Sequence, residues 1–460
     1  MIDLSKADLK ALLRPEGIPC ECCGQVHTTD LRTVEIGAGA VKKLSGALAA
    51  LGVKRPFVVC DENTHGAAGA RVEALLKEAG IPYSLHILRP HAGRVEPQEF
   101  SVGGLAMAFD ASCDFILAVG SGVINDCCKV LGHIAKLPTG VVATAPSMDG
   151  YASNSSSMII GGVKVTLYNA CPVMILADTD IVKEAPMRML RAGFGDMVAK
   201  YVSICEWRMS NLVTGEYYCE NVAGLVRRSL KAVVDSAEGL TARDPRAVES
   251  VVEGLILSGV AMSYAKSSRP ASGLEHYYSH LWEMQALLRG EESELHGLQV
   301  GIGTLLTLDI YDALRGFTPS RETADAFYAA FSDETWQAQM RGIFGELAPE
   351  IIRAEHEQHH KNSPEKHTRR LDNLLAHWAE IEAIAAEELP STQAMRDLYD
   401  RLGMPKRPED IGISAEGGQQ AYIGSREIRD KYITSSMLWD LGLLDSFEYL
   451  NGRMVGTLPR

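Results

Sequence analysis

The chain has no uninterrupted apolar run approaching the ~18 residues needed to cross a bilayer. Its start, MIDLSKADLKALLRPEG, is charged and amphipathic and lacks the apolar core of a secretory signal. Basic residues are short as well: 45 Lys and Arg against 59 Asp and Glu leave a net charge of −14. That balance argues against broad nucleic-acid binding, which needs a basic footprint, but leaves room for a small anionic ligand held by a few local donors. Cysteines are present, ten of them, but single or in adjacent pairs such as Cys22–Cys23 and Cys127–Cys128. This is not the spacing of a disulfide framework. A reduced, cytoplasmic protein without membrane insertion is the expectation.

What is present is an ordinary globular composition, 46% apolar and 23% charged. At roughly 150 residues per domain, the length predicts two or three domains. Residues 30–183 alternate β-rich runs (RTVEIGAGA, RPFVVCDENT, PYSLHILRP, DFILAVGSG, GVVATAPS, PVMILADTD) with helical patterns. Several runs are apolar on both faces, as strands of a covered parallel sheet are. This region reads as an α/β, Rossmann-like dinucleotide-binding domain. Residues 184–460 read as an all-helical domain with almost no strand. Residues 1–29 form an arm containing CECCGQVHTTD. Cys20, Cys22, Cys23 and His27 there could form a zinc site, but CxCC is not the usual CxxC clamp, so thiols on a flexible surface arm are expected.

Three local patterns carry chemistry. In DFILAVGSGVIND, Gly120 and Gly122 follow a strand and precede a helix, where backbone amides and the helix dipole suit a pyrophosphate. Asn125 stands where the third glycine of GxGxxG would be, so a plain glycine turn is an equal reading. Gly37 and Gly39 of IGAGA make a second such turn. Asp61, at the end of RPFVVCD, suits a ribose diol and favours NAD over NADP, or it is a helix N-cap. In the helical half, Asp196 of RAGFGDMVAK, His276 and His280 of SRPASGLEHYYSH, and His296 of ELHGLQVGIGT are set among glycines and apolar residues. His276 and His280, four apart, share a helix face. A carboxylate and two imidazoles suit a divalent metal of borderline hardness, though sequence spacing alone does not assemble them. His356, Glu357 and His360 match HExxH, the zinc-peptidase pattern. Their segment is strongly charged and runs into Pro364, so a solvated helix end is the expectation.

Taken in order, GSGVIND, TAPSMDGYAS, GFGDMVAK, SGLEHYYSH and LHGLQVG closely resemble the glycerol-1-phosphate dehydrogenase family. That family is a branch of the superfamily of iron-containing alcohol dehydrogenases, glycerol dehydrogenase and dehydroquinate synthase. The likeness covers residues 30–310 well, and REIRDKYITSSMLWDLGLLD extends it. It implies a dehydroquinate synthase-like fold and metal-dependent interconversion of dihydroxyacetone phosphate and sn-glycerol 1-phosphate with NAD or NADP, a step of phospholipid biosynthesis. Asp196, His276 and His296 would hold the metal. Asp61, Gly122, Val123, Ile124, Asn125, Asp126, Thr144, Ala145, Pro146, Ser147 and Ser153 would bind the cofactor. Asp149, Asp196 and His280 would meet the substrate, with Asp196 and His280 catalytic. Iron-dependent relatives carry a histidine where this chain has Lys200, so zinc or nickel is implied. Lys164 and Arg269 are candidate phosphate donors or plain surface residues. A homo-oligomer is expected. A polyol dehydrogenase or a sugar-phosphate cyclising synthase on the same fold is the nearer alternative, against which TAPSMDGYAS weighs. A nucleotide sensor without activity and an HExxH peptidase are more distant ones.

Overall fold

A computed structural model describes residues 3–91, 93–161 and 163–459. The chain forms two compact units. The first runs to Met197 and resumes over Cys219–Pro270; the second takes Val198–Tyr218 and everything from Ala271 onward.

In the first unit a short hairpin of β1 (Ile18–Pro19) and β2 (Val26–His27) precedes β3 (Thr33–Gly37), β4 (Pro56–Asp61), β5 (Ser84–Leu88), β6 (Phe115–Gly120) and β7 (Thr139–Ala143). A second hairpin, β8 (Ser155–Ile160) and β9 (Val163–Tyr168), leads to β10 (Met174–Asp178). Six strands pair in the order β3-β10-β7-β6-β4-β5, each pair parallel. Every residue of β6, β7 and β10 is buried, which explains their unbroken apolar character. One face packs Val58, Leu117, Val119, Val142 and Leu176 against Leu44, Leu48, Val72 and Leu76. From β5 the chain crosses over β4 to reach β6, so the order reverses between those two strands. Open α/β sheets bind ligands at the carboxyl end of such a reversal. The reversal lies between β4, which ends at Asp61, and β6, which ends at Gly120.

The sheet stops near the expected boundary at 183, but the compact unit does not. The helices Glu220–Ser236 and Pro245–Ala265 fold with it. Pro245–Ala265 is long and apolar enough to cross a bilayer by length and composition, a length unmarked in the sequence because Arg246, Glu249 and Glu253 interrupt it. It is a core helix, with 72% of its most apolar window buried. Nor is the N-terminal stretch a flexible arm. Leu4, Leu12 and Ile18 are buried, and Arg228 donates to the carbonyls of Ser5 and Ala7.

The second unit is helical from Lys200–Thr214 through Leu274–Arg289 and His296–Leu314 to Thr434–Asp440. The expectation of almost no strand here misses one hairpin, β11 (Phe447–Leu450) and β12 (Arg453–Gly456). Its turn is Asn451–Gly452, with φ of 50° and 84°, the left-handed pair a tight hairpin requires. Leu281, Trp282, Ile302, Leu306, Trp336, Tyr422 and Trp439 belong to one core. At Gly303 a Cβ would stand 2.4 Å from the Glu275 carbonyl oxygen, so the helices Leu274–Arg289 and His296–Leu314 cross backbone to backbone. The HExxH run is a single π-helical turn, Glu355–His359, closed by His360 at φ 46°. His356 pairs at 2.8 Å with Asp333 on the surface, so the run is a solvated helix end and no peptidase helix.

Candidate active site

In the first unit lie the glycine loop after β6 and two of the expected carboxylates, Asp149 and Asp196. Ser121 caps the helix Gly122–Ala135, and its side chain turns away from the helix amides. Its Oγ lies 2.6 Å from Ser147 Oγ and donates to the Ala145 carbonyl, while Tyr151 Oη also reaches Ser121. The first amides of the helix thus lack a side-chain cap among the described residues, the condition for receiving an anion. Gly122 opens this helix with only the flexible Met148 side chain near its absent Cβ, whereas a Cβ on Gly120 would strike Ile124 at 2.6 Å. Gly120 therefore serves strand–helix packing, while the backbone at Gly122 is closed off only by a flexible side chain.

Thr144 donates from its backbone to Gly120, which lays Thr144, Ala145, Pro146 and Ser147 beside Gly122 and Val123. Ile124 and Asn125 are buried, and Asn125 Nδ2 donates to the Gly150 carbonyl. Asp126 is paired at 2.9 Å with Lys129, a fully buried lysine that sequence reading missed. Lys129 also donates to Ser153 Oγ at 3.3 Å and to the Gly150 carbonyl at 3.2 Å, and it reaches the Ser155 carbonyl. Asp126 and Ser153 are thereby joined through one ammonium. Asp61 does cap the next turn, since Oδ1 accepts from Thr64 N at 2.7 Å; the N-cap reading and a ribose contact through Oδ2 are compatible.

Asp149 and Asp196, distant in sequence, are adjacent. Asp149 N donates to Asp196 Oδ2 at 2.9 Å, and Ser258 Oγ donates to Asp149 Oδ2 at 2.8 Å. Gly193 makes this possible: a Cβ there would lie 1.9 Å from the Pro146 carbonyl oxygen. The helix Met187–Val198 thus rests directly on the TAPS loop. Arg269 is 3% exposed and no surface residue, whereas Lys164 sits half-buried on β9.

The three expected imidazoles lie in the second unit. Ring centroids of His276, His280 and His296 are 5.3–6.3 Å apart. Buried Glu206 accepts from the amides of Leu274 and Thr434, fixing the start of the His276 helix. His276 Nδ1 is 2.8 Å from Glu275 Oε1, and His296 Nδ1 is 3.0 Å from Ser279 Oγ and 3.2 Å from Glu283 Oε1. A carboxylate on one ring nitrogen is what orients a metal-binding histidine and leaves the other nitrogen to the ion. His280 Nδ1 stands 3.7 Å from Glu283 Oε2. Donor atoms of His280, Glu283 and His296 all converge within 4.8 Å, so Glu283 is a further member of this cluster. Lys200, where a fourth ligand would be sought, is fully buried and donates to the Ala271 carbonyl at 3.1 Å. An ammonium has no lone pair to offer a cation, so Lys200 in this state is no ligand.

A glycine loop at the reversal of the sheet and a carboxylate-backed histidine cluster suit a metal-dependent dehydrogenase of the iron-containing alcohol dehydrogenase type. Residues 35–186 match the family described as iron-containing alcohol dehydrogenase. Solved structures share the fold: a probable glycerol dehydrogenase of Sinorhizobium meliloti (TM-score 0.56, 17% identity, 90% of this chain and 96% of that one) and maleylacetate reductase of Agrobacterium tumefaciens (TM-score 0.58, 13% identity, 94% and 99%). Sequence relatives are narrower. A glycerol-1-phosphate dehydrogenase of Halalkalibacterium halodurans is 33% identical over 413 residues, 90% of this chain and 93% of its own. One from Methanosarcina acetivorans is 32% identical over 281 residues, 61% and 76%. The chain belongs to the glycerol-1-phosphate dehydrogenase family.

Proposed function

We propose that this protein reduces dihydroxyacetone phosphate to sn-glycerol 1-phosphate, and catalyses the reverse, with NADH or NADPH and one zinc or nickel ion. The observation that carries the reading is the histidine cluster, whose Nδ1 atoms on His276 and His296 are each engaged by a carboxylate. The donor chemistry fits a borderline divalent cation held by Asp196, His276 and His296. That cation supplies Lewis acidity to the substrate carbonyl, and the nicotinamide supplies the hydride.

The remaining work falls to side chains. The uncapped amides at Gly122 and Val123 receive the pyrophosphate, and Asp61 takes the ribose. Asp149, steadied by Ser258, orients substrate hydroxyls. His280 moves the proton, its imidazolium stabilised by Glu283 at 3.7 Å. Arg269 is our candidate for the phosphate, because a buried guanidinium suits a doubly charged anion. Cytoplasmic location and a homo-oligomer complete the reading.

The test follows NADH oxidation by metal-stripped protein resupplied with zinc or nickel, offering dihydroxyacetone phosphate beside dihydroxyacetone. Turnover of the phosphorylated ketone, abolished in His276→Ala, is expected. Preference for dihydroxyacetone would move the assignment to a polyol dehydrogenase, and inactivity of the metal-loaded protein with both would favour a cyclising synthase or a sensor.

A further inference from the structure

Far along the chain from the histidine cluster, but wholly within the first unit, three thiols and an imidazole converge. Cys20, Cys23, His27 and Cys219 place their donor atoms all within 4.8 Å of one another. Cys20 and Cys23 flank the tight turn of the β1–β2 hairpin, in which Cys20 N donates to the Gln25 carbonyl and Gly24 N to the Cys20 carbonyl. Gly24, at φ 70°, supplies the left-handed residue of that turn. Cys219 arrives from 192 residues beyond His27, at the N-cap of the helix Glu220–Ser236.

The separations are those of a coordination shell. Zinc with sulfur at ~2.3 Å and nitrogen at ~2.0–2.1 Å gives tetrahedral edges of about 3.7–3.8 Å between sulfurs and about 3.5–3.6 Å between sulfur and nitrogen. Cys20 Sγ lies 3.7 Å from Cys219 Sγ, and His27 Nε2 lies 3.6 Å from both Cys23 Sγ and Cys219 Sγ. The sulfur pair is far beyond the ~2.05 Å of a disulfide.

The surroundings complete the case. His27 Nδ1 is 3.2 Å from the Tyr264 carbonyl. A carbonyl only accepts, so Nδ1 carries the proton and the lone pair of Nε2 faces the sulfurs, the orientation metal-bound histidines adopt. Asn221 Nδ2 donates to Cys20 Sγ at 3.2 Å, a bond that favours thiolate over thiol. His27 is stacked on the Tyr264 ring at 5.2 Å and is 1% exposed, Cys20 is 6% exposed, and Cys219 is fully buried. Cys22 alone of the arm's cysteines is exposed and lies outside the set.

We propose that Cys20, Cys23, His27 and Cys219 bind a second, structural zinc ion that pins the N-terminal hairpin to the start of the helix Glu220–Ser236. All four positions are protein ligands, so the site is closed and has no place for substrate. Cys20-Glu21-Cys22-Cys23 is itself a CxxC clamp, which the intervening Cys22 hides when the run is read as CxCC. Zinc binding displaces the protons of the three thiols to solvent and changes no oxidation state.

The test is metal content and thiolate coordination in the full-length protein, neither of which depends on turnover. Wild type should carry one more zinc per chain than Cys23→Ser or Cys219→Ser, and His276→Ala should keep that ion. Cys22→Ser should match wild type. Because a serine variant could fail to fold, wild-type protein reconstituted with cobalt gives a second readout. It should show a thiolate-to-cobalt charge-transfer band that persists in His276→Ala, and zinc-edge X-ray absorption should show sulfur at ~2.3 Å. Absence of that band together with a nitrogen- and oxygen-only shell would overturn the proposal. So would a Cys20–Cys219 disulfide in protein freshly purified under reducing conditions.

Discussion

Replacing Gly303 with alanine tests whether the imidazole cluster depends on a backbone-to-backbone helix crossing. The new Cβ would stand 2.4 Å from the Glu275 carbonyl oxygen and 3.0 Å from the Glu275 Cα. Carbon and a carbonyl oxygen settle no closer than about 3.3 Å even in favourable contacts, so the helices must part by about 0.9 Å. Alanine gains ~1 kcal/mol over glycine in helix propensity, while overpacking a tight contact costs ~1–3 kcal/mol. Because the obstacle is backbone and cannot rotate aside, the upper end applies, and the net loss is about 2 kcal/mol. The same parting shifts His296 against His276, whose rings are 5.3 Å apart, and a displacement of ~1 Å at a reacting centre costs ~10²-fold in rate. Gly342 is the control: it is exposed in the helix Asp333–Phe344, with nothing within 4 Å of its absent Cβ, so Gly342→Ala should gain up to ~1 kcal/mol. Urea unfolding and chelator competition for the metal would be measured on both. A Gly303→Ala protein as stable as Gly342→Ala, with wild-type metal affinity, would refute the crossing as the source of the geometry.

Other expectations rest on single contacts. Glu283→Gln should weaken metal binding ~10–100-fold by removing the carboxylate from His296 Nδ1, and unchanged affinity in chelator competition would remove Glu283 from the site. Lys129→Met should raise the NADH dissociation constant at least ~10-fold, read by cofactor fluorescence, because Asp126, Gly150 and Ser153 lose their common partner. Burial opposes ionisation of Glu427, but Arg426 and Lys361 overcome it and hold the carboxyl at about 2. A depressed carboxyl stabilises fully above its unfolded value near ~4.3 and loses that contribution as pH falls toward the folded value, here about 3 kcal/mol. Glu427→Gln should lack that acid-side loss and be destabilised at neutral pH by ~3–5 kcal/mol, checked by urea unfolding across pH.

The parallel sheet is legible because strands buried on both faces read as unbroken apolar runs, and the loops after β6 and β7 follow from their glycine, serine and proline content. What stays hidden has physical reasons. The neighbours of the candidate residues, Glu283 and Lys129 within helices and Ser121 at an N-cap, occupy ordinary positions, and only folding shows what each touches. Cys219 joins the N-terminal hairpin across 192 residues, a separation with no periodic signature. The β11–β12 hairpin did announce itself through Asn451–Gly452, but its strands are only four residues each, too short for alternation to stand out among helices.

Three motif glycines place side chains in different ways. At Gly193 the missing side chain admits the Pro146 carbonyl oxygen, and so lets the helix bearing Asp196 reach Asp149. At Gly303 it admits the Glu275 backbone, and so brings the helix of His296 against that of His276. Gly120, at the end of β6, makes room for the Ile124 side chain. Of the glycines in GSGVIND, Gly122 is the one whose absent Cβ meets only the flexible Met148 side chain. The missing side chains at these three positions thus set packing distances between backbone elements. Gly193 and Gly303 each fix one backbone contact within its own unit. Preorganisation of that kind is what makes a small donor set selective, because ligands fixed by backbone contact cannot relax toward the geometry of a competing ion.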